Sequence, residues 1–171
     1  AAPSSTKNQD RKRDPEMTQT RKGNQWYFGM KAHTGTDSKT RVVHTVVATT
    51  ASVHDSQVME DLLSGEEEAV WGDKAYADEN KKVEFEERGV KWCVSKKAAR
   101  GTTLGKKDKE HNRRMSKTRA RGEHPFRVVK CQWGYRKVRY RGIAKNAAQL
   151  FTLFGLANLY LVRKLLLHQP A

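Results

Sequence analysis

The run from Ile143 to Leu167 constrains the fold of this chain more than any other segment. Its apolar residues recur at intervals of three and four, the spacing that places side chains on one face of an α-helix. Gln149, Asn158 and Arg163 interrupt the apolar run, whereas a transmembrane helix needs roughly 18 or more consecutive apolar residues. The pattern therefore predicts a core helix of a globular domain, and a membrane span is the weaker alternative.

Two β-rich segments and a helical segment lie in the first third of the chain. Trp26–Thr34 and Arg41–Thr50 are rich in aromatic and β-branched residues, and the link between them has turn-forming composition, so they predict a β-hairpin. The segment Thr50–Leu63 has apolar residues at helical offsets. It predicts one helix, with Ser52 or Asp55 as its N-cap.

The middle of the chain alternates between strand and helix patterns. Ala69–Asp73 and Val90–Ser95 are short apolar runs, and Glu79–Arg88 between them has helical composition. A further helical stretch from Asp108 to about residue 133 contains a glycine at 122 and a proline at 125, so a kink is expected there. The order of elements predicts an α/β domain.

The positive charge of the chain is concentrated in one segment. The 171 residues include 34 Lys plus Arg and 19 Asp plus Glu, a net charge of +15. Between Lys91 and Arg141 there are 18 basic residues and three acidic ones, so this segment accounts for the whole surplus. The electric field of such a concentrated positive charge attracts polyanions. We interpret the segment as a surface that binds nucleic-acid phosphates, with a merely solubilising surface as the alternative.

The two cysteines, Cys93 and Cys131, are too few for a disulfide framework. The first residues show no charged stretch followed by an apolar signal core, which argues against a secreted protein. The six histidines and two cysteines form no spacing that suits zinc. We therefore expect a reducing, cytoplasmic setting and no membrane partner.

Two acidic residues occupy positions where an acid is unusual. Asp73 ends an apolar strand, and Glu123 is the lone acid between His111 and the last residue. Phosphoryl transfer on DNA uses carboxylates to hold two Mg²⁺ or Mn²⁺ ions, so both are candidates for catalysis and metal binding. Arg119 and Lys130 share the face of Glu123 if the helix is continuous. A surface ion pair between Arg119 and Glu123 is the simpler alternative.

Two spaced motifs contain these acids. The segment Gly72–Tyr76 reads Gly-Asp-Lys-Ala-Tyr, and Ser116, Arg119, Glu123 and Lys130 stand three, four and seven residues apart. The motifs resemble those of the DDE transposases of bacterial insertion sequences, in the branch with a Y-x2-R-x3-E-x6-K signature, except that Ser replaces Tyr. The segments 22–33, 52–57, 123–130 and 140–146 extend the resemblance over nearly the whole chain.

The resemblance implies an RNase H-like fold, in which helices flank a mixed sheet. It implies further that the first, central strand, which carries the first catalytic Asp, is missing, so that the chain is the C-terminal portion of a catalytic domain. Residues 1–22 are then a polar arm that follows this strand, and residues 23–171 are a partial RNase H-like domain. Asp10, Asp14 and Asp37 are the acids nearest the gap, and none of them suits the role of the missing Asp.

The function implied by the resemblance is DNA transposition by metal-dependent strand cleavage and transfer. Its cofactors are Mg²⁺ or Mn²⁺, with two ions expected in the complete enzyme, and its partners are transposon ends, target DNA and a second copy of the chain. The setting implied is the bacterial cytoplasm, at the nucleoid when the protein is bound to DNA. The candidate catalytic and metal-binding residues are Asp73 and Glu123, and the candidate DNA-binding residues are Arg113, Arg114, Arg119, Arg121, Lys130 and Lys137.

Two other functions stay open at this point. Because one carboxylate of the triad is absent, the isolated chain is expected to be inactive. It is then a non-catalytic, basic DNA-binding remnant, or an inhibitor that assembles with full-length transposase. A weaker alternative is a basic structural protein that binds RNA, for which a preference for single strands would be the mark.

Overall fold

Two separate β-sheets and a long C-terminal helix organise residues 14–167, the part of the chain that the computed structural model describes. The first sheet is antiparallel and has the order β1-β2-β3. Its strands are β1 (Thr18–Lys22), β2 (Gln25–Thr36) and β3 (Val43–Thr50). The predicted hairpin is confirmed, because β2 and β3 pair from Met30 opposite Thr50 to Thr36 opposite Val43.

Strand β1 lies within the segment that the sequence predicts to be a polar arm. It pairs with the first half of β2 through the two-residue turn Gly23-Asn24, where Gly23 has φ +61°. Two-residue hairpin turns favour this positive φ, which glycine adopts without strain. The prediction missed the strand because its alternating side chains are Thr, Gln, Arg and Lys rather than apolar. Residues 1–13 of the arm, which include Asp10, lie outside the described residues.

The single helix predicted over Thr50–Leu63 is wrong. The chain instead forms two one-turn 3₁₀ helices, Asp55–Val58 and Glu60–Leu62. The N-cap is His54, whose side chain accepts a hydrogen bond from the Ser56 amide, and not Ser52 or Asp55. The Leu62 carbonyl occupies the space that a Cβ atom on Gly35 of β2 would fill. Packing against this strand sets the path of the segment in place of helical periodicity.

The second sheet consists of two parallel strands joined by a helix, as the alternation of patterns predicts. Strand β4 (Ala69–Val70) pairs with β5 (Lys91–Trp92), and α1 (Glu79–Glu87) connects them. Phe85 of α1 is fully buried, with its ring 5.1 Å from that of Trp92. Among the described residues, this sheet and the first one share no strand pairing. The architecture is therefore mixed α/β, as predicted.

The helical stretch after the second sheet is interrupted where the sequence predicts a kink. A regular α-helix ends before Gly122, and Pro125 stands in the first turn of the next short helix. Because helical geometry tightens and then widens here, side chains on either side of the break do not follow one α-helical face. The elements are α2 (Lys106–Arg119), a 3₁₀ turn (Ala120–Glu123), α3 (His124–Arg127) and a π turn (Val128–Gln132).

The predicted core helix is confirmed as α4 (Ile143–Leu167), which packs against β3 and the α3 region. Phe154 and Ala157 are buried there. Asn158, a polar interruption of the apolar run, accepts a hydrogen bond from the Val43 amide and donates one to the Val43 carbonyl, both at 2.8 Å. No helix within residues 14–167 has the length and apolarity needed to cross a bilayer.

Two acids before β1 hold the beginning of α4. The Oδ2 atom of Asp14 accepts a hydrogen bond from the Gly142 amide at 2.6 Å, and Oε2 of Glu16 accepts one from the Ile143 amide at 2.9 Å. Amides at a helix N-terminus lack partners within the helix and favour negative charge. Asp14, only 5% exposed, therefore ties the described end of the arm to the core helix.

Candidate functional site

A cavity of about 690 Å³ is lined by residues of both sheets. It is lined by the end of β2, by β4 with the segments that flank it, and by the residues where α2 passes into its 3₁₀ turn. Both candidate catalytic acids, Asp73 and Glu123, line this cavity, although 50 residues separate them in the chain. The fold therefore brings the two carboxylates to one cavity from different elements.

Asp73 is placed by the backbone that follows β4. Its Oδ1 atom accepts a hydrogen bond from the Ala75 amide at 2.7 Å and so caps the 3₁₀ turn Lys74–Tyr76. Within the described part of the chain, the other carboxylate oxygen of Asp73, Oδ2, accepts no hydrogen bond. Gly72 is buried, and a Cβ atom there would lie 3.2 Å from both the Tyr76 Cβ and a methyl group of Val94. The Gly-Asp-x-x-Tyr motif thus combines close packing with a cap.

Tyr76, the last residue of that motif, lies near two carboxylates. Burial of its ring, together with the charges of Asp55 and Asp73, raises the pKa of Tyr76 to about 12. The phenol therefore stays protonated at neutral pH. It can donate a hydrogen bond beside the carboxylates but cannot act as a base.

Glu123 ends the 3₁₀ turn that follows α2. Its Oε1 atom accepts a hydrogen bond from the Arg119 guanidinium at 2.9 Å, and Arg119 lines the cavity as well. The surface ion pair considered from the sequence is therefore formed. It occupies one carboxylate oxygen, and no bond from the described residues reaches Oε2.

The sequence-based placement of Lys130 on the face of Glu123 is wrong. That placement assumes a continuous α-helix, whereas a 3₁₀ turn and a π turn intervene. The Lys130 ammonium lies 5.0 Å from the centre of the Phe126 ring, and Lys130 is not among the described residues that line the cavity. Its cation therefore faces an aromatic ring.

The remaining candidate DNA-binding residues also lie outside the cavity lining. Arg113 and Arg114 are exposed on α2, and Lys137 is exposed after the π turn. The Arg121 guanidinium donates a hydrogen bond to the Ser38 carbonyl at 3.1 Å, which ties the 3₁₀ turn after α2 to the turn after β2. These four cations therefore lie on the surface, outside the described cavity lining.

Asp55, which sequence reasoning assigned to a helix cap, is one of the further carboxylates in the cavity lining besides Asp73 and Glu123. Its Oδ1 atom lies 3.2 Å from the Lys31 ammonium and 3.7 Å from Nδ1 of His33. His33 is buried and bonds through Nε2 to the Thr49 hydroxyl at 2.8 Å. Burial lowers the pKa of His33, although the charge of Asp55 opposes that shift. The sequence contained one signal of this contact: side chains alternate between the two faces of a strand, so Lys31 and His33 lie on the same face of β2.

The donor chemistry of the cavity suits hard divalent cations. Asp73 and Glu123 offer carboxylate oxygens, the ligands that Mg²⁺ and Mn²⁺ prefer. Among residues 14–167, no three His, Cys, Asp or Glu side chains are grouped closely enough to hold a metal ion. The described residues therefore contain no complete group of metal ligands.

Comparison with known proteins adds one match. A family model described as a transposase DDE domain matches residues 3–159, which is most of the chain. No solved structure matches the chain. The matched range includes both motifs and every residue discussed in this section.

Proposed function

The chain belongs to the transposase DDE domain family, and from this premise we propose that Asp73 and Glu123 are two of the three carboxylates that carry DNA strand cleavage and transfer. A function related to transposition follows from the family itself. The observation that supports the residue assignment is that both acids line one cavity. Each also keeps one oxygen without a hydrogen bond from the described residues.

Divalent ions are the expected cofactors, because the family normally uses them. We propose Mg²⁺ or Mn²⁺, with two ions in the complete enzyme and Asp73 and Glu123 among their ligands. Bound ions of this kind activate the attacking oxygen and stabilise the leaving one. The chain's own contribution is positioning: the Ala75 amide orients Asp73, and Arg119 orients Glu123.

DNA is the proposed substrate, in the form of transposon ends and target. The exposed cations beside the cavity would contact phosphates, since Lys and Arg supply most of the affinity for a DNA backbone. We place the protein in the bacterial cytoplasm, at the nucleoid when it is bound to DNA, and in the insertion-sequence branch of its family. The proposed phosphate contacts are Arg113, Arg114, Arg119, Arg121, Lys130 and Lys137.

We expect that residues 1–171 alone do not cleave DNA detectably, because the proposed assignment gives them only two carboxylates of the triad, Asp73 and Glu123. The cavity is bordered by the Thr34–Thr36 end of β2 and by β4, and within residues 14–167 the two sheets do not pair. We propose that an extended segment bearing the third Asp occupies this cavity and joins the sheets in an RNase H-like arrangement. Unpaired strand edges accept an added strand through backbone hydrogen bonds.

A second function is non-catalytic binding of DNA, as a remnant or as an inhibitor that assembles with full-length transposase. The absence of a complete ligand group among residues 14–167 favours it, and so does the strongly basic segment. The two functions differ in one respect. Only the first gains cleavage when the missing carboxylate is restored.

The test is nicking of supercoiled plasmid with Mg²⁺ or Mn²⁺, by the 171-residue chain and by a version extended at its N-terminus with a strand bearing Asp. We expect cleavage only by the extended chain, with loss in Asp73→Asn and Glu123→Gln. Asp61→Asn, an exposed acid outside the cavity lining, is the matched control and should cleave normally. DNA binding without cleavage by the extended chain would favour the second function. Cleavage by the unextended chain that Asp73→Asn abolishes would refute the predicted inactivity.

A further inference from the structure

The tip of the β1–β2 hairpin presents two aromatic side chains to solvent. Trp26 is 46% exposed and Tyr27 is 44% exposed, and every residue from 21 to 27 is exposed. Large aromatic side chains are usually buried in a folded protein. We call residues 18–29 the aromatic hairpin.

The Trp26 ring lies beside the side chain of its cross-strand neighbour. Arg21 stands opposite Trp26 in the pairing of the strands, and its guanidinium carbon lies 5.9 Å from the centre of the indole ring. Arg21 is itself fixed, since Nε donates to the Gly23 carbonyl at 2.9 Å and a terminal nitrogen donates to Asn24 Oδ1 at 3.2 Å. A cation thus lies against an indole that stays about half open to solvent.

Tyr27 is oriented in a similar way on the other side of the ribbon. Its hydroxyl donates a hydrogen bond to Gln25 Oε1 at 2.8 Å. Because successive side chains of a strand point to opposite faces, Trp26 and Tyr27 lie on opposite faces of the hairpin. The tip therefore offers one aromatic ring on each face.

The charge around these rings indicates which kind of partner they bind. From Met17 to Met30 there is no acidic residue, whereas Arg21 and Lys22 are basic. An apolar protein surface would not need this charge, but a phosphate backbone complements it. Aromatic rings beside cations are the usual platform for unpaired bases, because every base has a face that can stack.

We propose that the aromatic hairpin is a second DNA contact, in which an unpaired base stacks on Trp26 while Arg21, its cross-strand neighbour, faces the adjoining phosphate. The inference rests on the proposed DNA substrate but does not depend on cleavage. It involves neither the cavity carboxylates nor the basic surface around α2. It adds a preference for DNA with unpaired bases to the salt-sensitive binding of duplex DNA.

The test measures binding by fluorescence anisotropy with two labelled DNAs, a blunt duplex and the same duplex with a single-stranded tail. We expect Trp26→Ala to weaken binding of the tailed DNA about tenfold, the typical loss of one stacked base. Binding of the blunt duplex should change less than twofold. Trp26→Phe, which keeps a ring, should restore most of the affinity.

The matched control is Phe151→Ala, which removes an aromatic side chain that is 53% exposed on α4. It should leave both affinities unchanged. If Trp26→Ala weakens binding of both DNAs equally, or of neither, the proposed contact of the hairpin with an unpaired base is refuted, and the proposed function is unaffected. If the wild-type chain binds neither DNA, both the hairpin contact and the proposed DNA substrate are refuted. A tighter complex with an RNA tail than with a DNA tail would refute the assignment to DNA.

Discussion

The lining of the cavity and the surface around α2 carry opposite charge. Among residues 14–167, seven acidic residues line the cavity against two Lys or Arg, whereas the segment Lys91–Arg141 holds 18 basic residues and three acidic ones. The net charge of the chain therefore does not describe its candidate site. The acidic residues of the lining are Asp37, Asp55, Glu66, Glu67, Glu68, Asp73 and Glu123, and the basic ones are Lys39 and Arg119.

Under the proposed function, the difference in charge separates two tasks, metal binding and phosphate binding. An acidic cavity attracts cations and repels a bare phosphate, while a basic surface does the reverse. Arg119 and Glu123 lie where the two regions meet, and they bond to each other. A phosphate held on the basic surface would thus lie beside a cavity suited to metal ions.

The largest expected effect concerns the basic surface. If the six proposed cations each neutralise a phosphate, duplex affinity should fall about 10³-fold between 50 and 200 mM salt. The double variant Arg113→Gln and Arg114→Gln should lower the slope of log affinity against log salt by about two. Anisotropy titrations at several salt concentrations measure both quantities. An affinity that does not depend on salt would contradict the phosphate-binding role of this surface.

The next effect concerns the packing that places Asp73. Gly72→Val puts a side chain where the Tyr76 Cβ and a Val94 methyl group already lie 3.2 Å from the Cβ position. Overpacking of this kind costs about 1–3 kcal/mol of unfolding free energy, which urea denaturation measures. Gly155→Ala on α4, where nothing lies within 4 Å, should instead stabilise the protein by up to about 1 kcal/mol. Equal stability of Gly72→Val and wild type would show that the motif glycine has no packing role.

The sequence predicts those structural features that depend on residues close together in the chain. The periodicity of α4 specifies the core helix, and the four-residue spacing of Arg119 and Glu123 identifies their ion pair. The same local logic failed for the segment 50–63. Its path depends on the contact of the Leu62 carbonyl with Gly35, which no local pattern reveals.

Long-range pairings explain the other differences. Asn158 reads as an interruption of an apolar run, but it bonds to the backbone of Val43, 115 residues away. Asp55 reads as a helix cap, but it lies against Lys31 and His33 of β2 and lines the cavity. Because these partners belong to distant elements, only the folded chain shows that Asp55 joins Asp73 in the cavity lining.

A smaller effect arises where the acidic lining meets the buried histidine of β2. Burial lowers the pKa of His33 below 6.5. The charge of Lys31 lowers it further, whereas the charge of Asp55 raises it. The unfolded chain then binds a proton more readily than the folded one, so stability falls as pH decreases below about 6.5. The slope contributed by this one group is at most about 1.4 kcal/mol per pH unit.

The check is urea denaturation at pH 7.5 and pH 5.5. His33→Gln keeps a polar partner for Thr49 but does not titrate, so its loss of stability between these pH values should be smaller than that of the wild type. His44→Gln, which alters an exposed histidine of β3, is the control and should follow the wild type. The same pH dependence in His33→Gln and wild type would assign the effect to other groups.

The smallest effect lies at the border of the two regions. The side chains of Arg119 and Glu123 are 38% and 62% exposed, so solvent screens their attraction, and a pair at this spacing contributes about 0.2–0.5 kcal/mol. A double-mutant cycle of Arg119→Ala and Glu123→Ala should return a coupling in this range that decreases at 1 M salt. A coupling above about 1 kcal/mol would mean that the pair has a stabilising role. A small coupling, combined with a loss of DNA affinity in Arg119→Ala alone, would instead indicate that Arg119 exchanges its carboxylate partner for a phosphate on binding.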